Sequence, residues 1–198
     1  VTGVQTCALP ISPPDVPPPK EGEAIRDGLF TEAYPNGVVR LEAYYKKGIL
    51  HGRYRRFSAK GLLLEEAYFV DGKLDGLRKL YGEKGVLTQL SRYRDGLLNG
   101  ETRVFYPNGK TKAVGVFYND RLKGELKTLY PNGKVNWICS FRDGLLDSVV
   151  KTYTTTGRLI EEVQFDETNG KGVSRSFNES VKLVVEYEYS STRRDPAT

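Results

Sequence analysis

A basic side chain recurs at one place six times in this chain: Arg55, Lys79, Arg103, Lys127, Lys151 and Arg175, each 24 residues after the last. Only 30 of the 198 residues are Lys or Arg, so six hits in six frames are a pattern rather than composition. Cations repeated at a fixed spacing could do one kind of chemistry, the binding of anions: an acidic protein surface or phospholipid headgroups. The row also has a plainer use. Aliphatic stems can lie over neighbouring rings while the charged heads sit in water or against an aromatic face, and a charged row discourages edge-to-edge aggregation. A nucleic acid held by such a row would show steep salt dependence. No base-reading module accompanies the row, so nucleic acid ranks last among the partners.

Other reactive residue types do not converge. His51 is the single histidine, in a Leu-His-Gly turn; one histidine without further ligands is no zinc site, and no base lies near it to form a triad. Glu65 and Glu66, like Glu161 and Glu162, are adjacent, and adjacent strand residues point to opposite faces, so neither pair reads as an acid and base acting together. Cys139 stands at a small position of a strand and reads as a buried thiol that packs as a small apolar residue. Trp137 is the only tryptophan; it suits an exposed interface anchor or, beside Cys139 and Phe141, a core position. The glycines follow a hairpin period, not a phosphate-loop spacing. No enzyme, metal, cofactor or small-molecule substrate is expected.

The elements that carry these residues repeat. Leading glycines at Gly37, Gly61, Gly85, Gly109, Gly133 and Gly157 restart the pattern every 24 residues without insertion. We number places in each repeat from that glycine as zero. Place 8 is aromatic (Tyr45, Phe69, Tyr93, Phe117, Phe141, Phe165). Place 13 is Leu50, Leu74, Leu98, Leu122 and Leu146, and place 15 is Gly52, Gly76, Gly100 and Gly124. A fixed period of this length marks a stacked array. Each unit reads as a β-hairpin: an apolar run, a glycine-punctuated connection such as YRDGLLNG, a second apolar run, then a turn, three times Tyr-Pro-Asn-Gly. Asn-Gly suggests the positive φ of tight hairpin turns. Places 2, 6 and 8 should share one face, with small residues at place 6 making room for rings. The expectation is an all-β fold, an elongated single-layer antiparallel sheet of roughly a dozen strands built from stacked hairpins.

The spacing aromatic-x-x-Gly-x-Leu, followed by glycine and an aromatic before Asn-Gly, resembles the membrane occupation and recognition nexus (MORN) repeat. It is most similar to a bacterial variant class labelled as the antitoxin component of a toxin–antitoxin system. The resemblance covers about Gly28 to Tyr189 and implies a scaffold, a lipid-associated module or an accessory domain. Asp120, Ser148 and Thr168 stand where the pattern has glycine, so looser turns are expected there.

Residues 1–12 (VTGVQTCALPIS) resemble the in-frame translation of a sequencing-adapter oligonucleotide. That resemblance takes Cys7 out of consideration and implies that the original N-terminus, with any signal peptide, is lost. Residues 13–27 read as a proline-rich linker, with an SH3-type ligand the less favoured use. The repeat domain spans residues 28–190 and a disordered tail follows at residues 191–198. Net charge is +5 with 28% charged, 38% hydrophobic and 11% aromatic residues, a mixed surface rather than a polycation. No run approaches the roughly 20 apolar residues of a membrane-spanning helix. The functional expectation is a non-catalytic scaffold that binds a protein, in the family reading an antitoxin. The alternative is an envelope-associated module that binds anionic headgroups through the basic row. Either would be bacterial, cytoplasmic or tethered at the envelope.

Overall fold

The computed structural model describes residues 27–142, 145–146, 149–166 and 171–190. The adapter-like segment with Cys7, the linker up to residue 26, Ser148, Thr168 and the polar tail lie outside the described residues. Among the described residues there are sixteen strands and no helix. The first eight are β1 (Gly28–Ala33), β2 (Val39–Lys46), β3 (Ile49–Phe57), β4 (Leu63–Val70), β5 (Lys73–Leu74), β6 (Gly76–Tyr81), β7 (Leu87–Arg94) and β8 (Leu97–Phe105). Then come β9 (Thr111–Tyr118), β10 (Arg121–Leu129), β11 (Val135–Arg142), β12 (Leu145–Leu146), β13 (Val150–Tyr153), β14 (Leu159–Asp166), β15 (Lys171–Phe177) and β16 (Leu183–Ser190). The chain divides into two compact units, residues 1–110 with 117–120 and residues 111–116 with 121–198. Within each, antiparallel strands follow one another in chain order, as stacked hairpins require.

Two kinds of turn alternate. The connections Lys47–Gly48, Asp71–Gly72 and Asp95–Gly96 hold both residues at positive φ, the two-residue loop whose twist matches that of the flanking strands. The loop over Pro35, Asn36 and Gly37 differs. Only Gly37 is left-handed, with φ 82°. The Tyr34 N–H bonds Val38 O at 2.8 Å and the Gly37 N–H bonds Tyr34 O at 2.9 Å. This is a three-residue turn closed by a glycine bulge, so Asn36 is not there for left-handed backbone. Its Oδ1 accepts the Val38 N–H at 3.1 Å, and its Nδ2 donates to Ala59 O in the next repeat at 3.0 Å. The Tyr34 hydroxyl donates to Phe57 O at 2.9 Å. In the second unit Tyr130 and Asn132 repeat both links, to Tyr153 O and Thr155 O, each at 2.8 Å. Tyr-Pro-Asn-Gly is therefore a fastener between repeats as well as a turn.

Asp120 does not loosen its turn. Asn119 and Asp120 keep positive φ at 49° and 64°, conformations that Asn and Asp tolerate. The Asp120 carboxylate accepts the Leu98 N–H at 2.7 Å, and its own N–H bonds Leu98 O at 3.0 Å.

Alternation along each strand sorts side chains onto two faces. In the first unit Leu41, Ala43 and Tyr45 of β2, Leu50 and Tyr54 of β3, Ala67 and Phe69 of β4 and Leu98 of β8 are buried on one face, called inner here. The small residue at place 6 does admit a ring: Ala43 faces Tyr54 across the β2–β3 ladder, and Tyr54 meets Phe69 edge-on at 5.7 Å. In the second unit Ala113, Leu122, Leu126 and Cys139 are buried, Cys139 at 1% exposure.

In the first unit place 15 needs glycine. Gly52, Gly76 and Gly100 have φ between 112° and 124°, and a Cβ on Gly52 would stand 3.1 Å from Tyr44 Cβ. Gly52→Ala should lower unfolding stability by about 1–3 kcal/mol. Gly85→Asn sits in open space at a φ of 69° that asparagine tolerates, and should cost less than about 1 kcal/mol. Denaturant midpoints of the two variants check this ordering.

Candidate functional site: a charge-paired outer face

In each unit the basic residues at place 18 lie on the face opposite that unit's buried side chains, its outer face, and each of the six is bonded to a carboxylate of its own chain. In the first unit the register sets Glu66 opposite both Arg55 and Lys79. Lys79 Nζ takes Glu66 at 3.0 Å, and the Arg55 guanidinium takes Glu42. The Arg55 guanidinium also stands 5.7 Å from the Phe57 ring centroid. In the second unit Lys151 pairs with Glu162 at 3.2 Å and Arg175 with Glu186 at 2.5 Å. These acids all occupy place 5. Where place 5 is apolar, the base turns to place 16 of its own strand. Leu90 faces Arg103, which takes Glu101 at 2.6 Å; Ile138 faces Lys127, which takes Glu125 at 2.6 Å. The hydrogen bond to Glu66 raises Lys79 above the ordinary lysine value, and the bond to Glu101 raises Arg103 likewise. The basic side chains are 32–45% exposed, so each pair contributes no more than about 1 kcal/mol. The row is a ladder of ion pairs rather than a bare cationic stripe. The signal for it in the sequence was the glutamate at place 5, which strand register brings opposite place 18.

The adjacent carboxylates divide between faces as alternation demands. Glu66 and Glu162 point outward to Lys79 and Lys151. Glu65 points inward, 1% exposed, and pairs with the 4%-exposed Arg78 at 2.7 Å and with Arg56 at 3.4 Å. Glu161 accepts from the Ser174 hydroxyl at 3.4 Å. Gln89 donates to Ser91 at 3.1 Å on the same inner side of the first unit. Such a buried pair is held by geometry, because a charge left alone there would be heavily penalised.

His51 belongs to a series of turn contacts. Its Nδ1 lies 3.3 Å from Asp71 Oδ1 and 3.4 Å from the Asp71 N–H. Asp27 reaches the Lys47 N–H, and Asp75 the Asp95 N–H at 3.2 Å, from the same place in their repeats. Among the described residues no three His, Cys, Asp or Glu gather as metal ligands, and no helix is long and apolar enough to cross a membrane. Trp137 is half-buried on the inner side, paired across strands with Thr128 and Thr152.

The MORN repeat variant family matches residues 26–47 and 98–120, one segment covering β1 and β2 and one covering β8 and β9. No curated protein matches the chain. A crystal structure of a GtfA/B complex bound to UDP and GlcNAc is similar at 10% identity and a TM-score of 0.25, over 58% of this chain and 22% of that one. A likeness that slight carries no argument.

Arg78→Ala, which strands Glu65 in the core, should cost about 3–5 kcal/mol, and the double change Glu65→Leu with Arg78→Met should recover most of it. Lys79→Ala should cost at most about 1 kcal/mol. Because Lys79 is raised, its contribution is complete below the ordinary lysine value of 10.5. It is lost as pH climbs from there through the raised value, so a melting series across that alkaline window should erase the wild-type advantage over Lys79→Ala.

Proposed function

We propose that this chain is a non-catalytic repeat scaffold that works by binding a protein partner. One observation carries the reading: the basic row, the feature best suited to a lipid surface, is already neutralised by carboxylates of the same chain. What the outer face of the first unit leaves exposed is Tyr44, Tyr68 and Leu77, side chains suited to a desolvated protein interface. MORN repeats in general serve as modules that bind proteins or membranes, and the two matched segments support placing this chain among them. The antitoxin role implied by the resemblance is one case of the reading, with a co-expressed toxin as partner. The membrane alternative requires the ion pairs of the row to open toward headgroups.

A pull-down with residues 13–198 as bait, at low and high salt, separates the two. One stoichiometric protein retained at high salt is expected. A diffuse, lipid-rich catch that vanishes at high salt, and is abolished by Arg103→Ser with Lys127→Ser and Lys151→Ser, would reverse the reading in favour of the membrane.

A further inference from the structure

Glycine at place 15 has a consequence for the face above it. With no side chain there, the residue at place 7 of the preceding strand lies over the gap, beside the residue at place 16. Tyr44 packs over Gly52 next to Arg53. Tyr68 packs over Gly76 next to Leu77. Arg92 lies over Gly100, where its Cδ would be 2.8 Å from a Cβ. The ladders add Leu29 opposite Tyr44, Arg53 opposite Tyr68 and Leu77 opposite Arg92. The result is one strip across six neighbouring strands of the first unit: Leu29, Tyr44, Arg53, Tyr68, Leu77, Arg92. All six side chains are exposed, Leu29 to 52%, Tyr44 and Leu77 to 40% and Tyr68 to 50%.

Its charges differ from those of the neighbouring row. Every base at place 18 has a carboxylate partner, whereas Arg53 and Arg92 make no ion pair or hydrogen bond among the described residues. A shallow groove of about 310 Å³ opens beside Arg53, Tyr68 and Leu77, with Glu66 paired to Lys79 on one wall and Asp75 on another. The strip is not a property of the repeat as such. Place 16 becomes Glu101, beside Arg92, in the next strand pair, and in the second unit the same two places hold Val116 with Glu125, Ser140 with Val149 and Gln164 with Val173, with no arginine and no ring among them. Stacking therefore does not explain it.

We propose that this strip docks an acidic protein segment bearing apolar side chains, carboxylates on Arg53 and Arg92 and apolar groups among Tyr44, Tyr68 and Leu77. This rests on the scaffold reading above and names the partner's chemistry. Arg53, set between the Tyr44 and Tyr68 rings, and Arg92, beside Leu77, are unpaired guanidiniums that favour carboxylates, which they can take bidentately, and Tyr and Arg are among the side chains enriched where interface energy concentrates. Five strand spacings of about 4.8 Å give a strip roughly 24 Å long, which an extended segment of about seven or eight residues spans.

The test is selection of a random displayed-peptide library on the full chain, followed by affinity measurement of the recovered peptides against wild type, R53E/R92E and Tyr68→Ser. Circular dichroism confirms that the variants fold. Expected are peptides that mix Asp or Glu with Leu, Phe or Tyr and bind R53E/R92E and Tyr68→Ser at least about tenfold more weakly. Recovery of no binders, of peptides without acidic residues, or of peptides indifferent to the variants overturns the proposal. So does phosphatidylglycerol vesicle binding that R53E/R92E abolishes while peptide binding is untouched. None of these results touches the salt-resistant pull-down, so the strip can fail while the scaffold reading stands.

Discussion

Register is the constraint from which the rest of this structure follows. A one-residue slip in a strand pair turns every side chain to the opposite face. In the first unit backbone conformation blocks the slip at both ends of the hairpins. Lys47–Gly48 and its counterparts must hold two successive left-handed residues, and Gly37 and its counterparts a single one. At several turns side chains then tie one repeat to the following one, Tyr34 to Phe57 O and Asn36 to Ala59 O on one side, Asp75 to the Asp95 N–H on the other. With the turns locked, a 24-residue spacing in the sequence becomes a fixed column in space.

Columns explain why the core accepts charge. Glu65 and Arg78 occupy places filled elsewhere in the first unit by Leu41 and Tyr54. They are tolerated because register presents them to each other and Arg56 completes the contact. The same logic governs the outer face with less at stake. Glu66 lies between two bases, while Arg103, facing Leu90, turns to Glu101. Burial makes the first arrangement a condition of folding, and exposure makes the second a minor term.

Much of this was legible in the sequence, since alternation and glycine spacing depend only on local chemistry. The hairpins, the inward ring at Tyr45 and Phe69, the small Ala43 on the ring-bearing face and the buried Cys139 all follow from period and parity. Partners across strands did not follow, because they depend on how many residues each irregularity absorbs. The pairing shifts between Ala43 and Tyr45, opposite the segment that contains Gly52, so counting along one strand does not say what it faces. For that reason the basic column was visible and its acids were not. The Asn of Tyr-Pro-Asn-Gly was legible as a turn residue, but its reach to Ala59 was not, because that contact belongs to the stacking of repeats.

In an array, uniformity and function pull apart. A feature present in every repeat is sufficiently explained by what every repeat must do, which is stack. The place-18 bases are such a feature, and their carboxylates show the requirement being met internally. Places 7 and 16 carry no such requirement. They face outward beside a glycine, and they vary: Tyr44, Tyr68 and Arg92 at one, Leu29, Arg53, Leu77 and Glu101 at the other. Stacking would be served as well by small polar groups there, and exposed rings and leucines carry a solvation cost in a chain on its own. Residues free to vary, yet holding exposed apolar surface beside unpaired cations, are where a repeat scaffold can tell one partner from another.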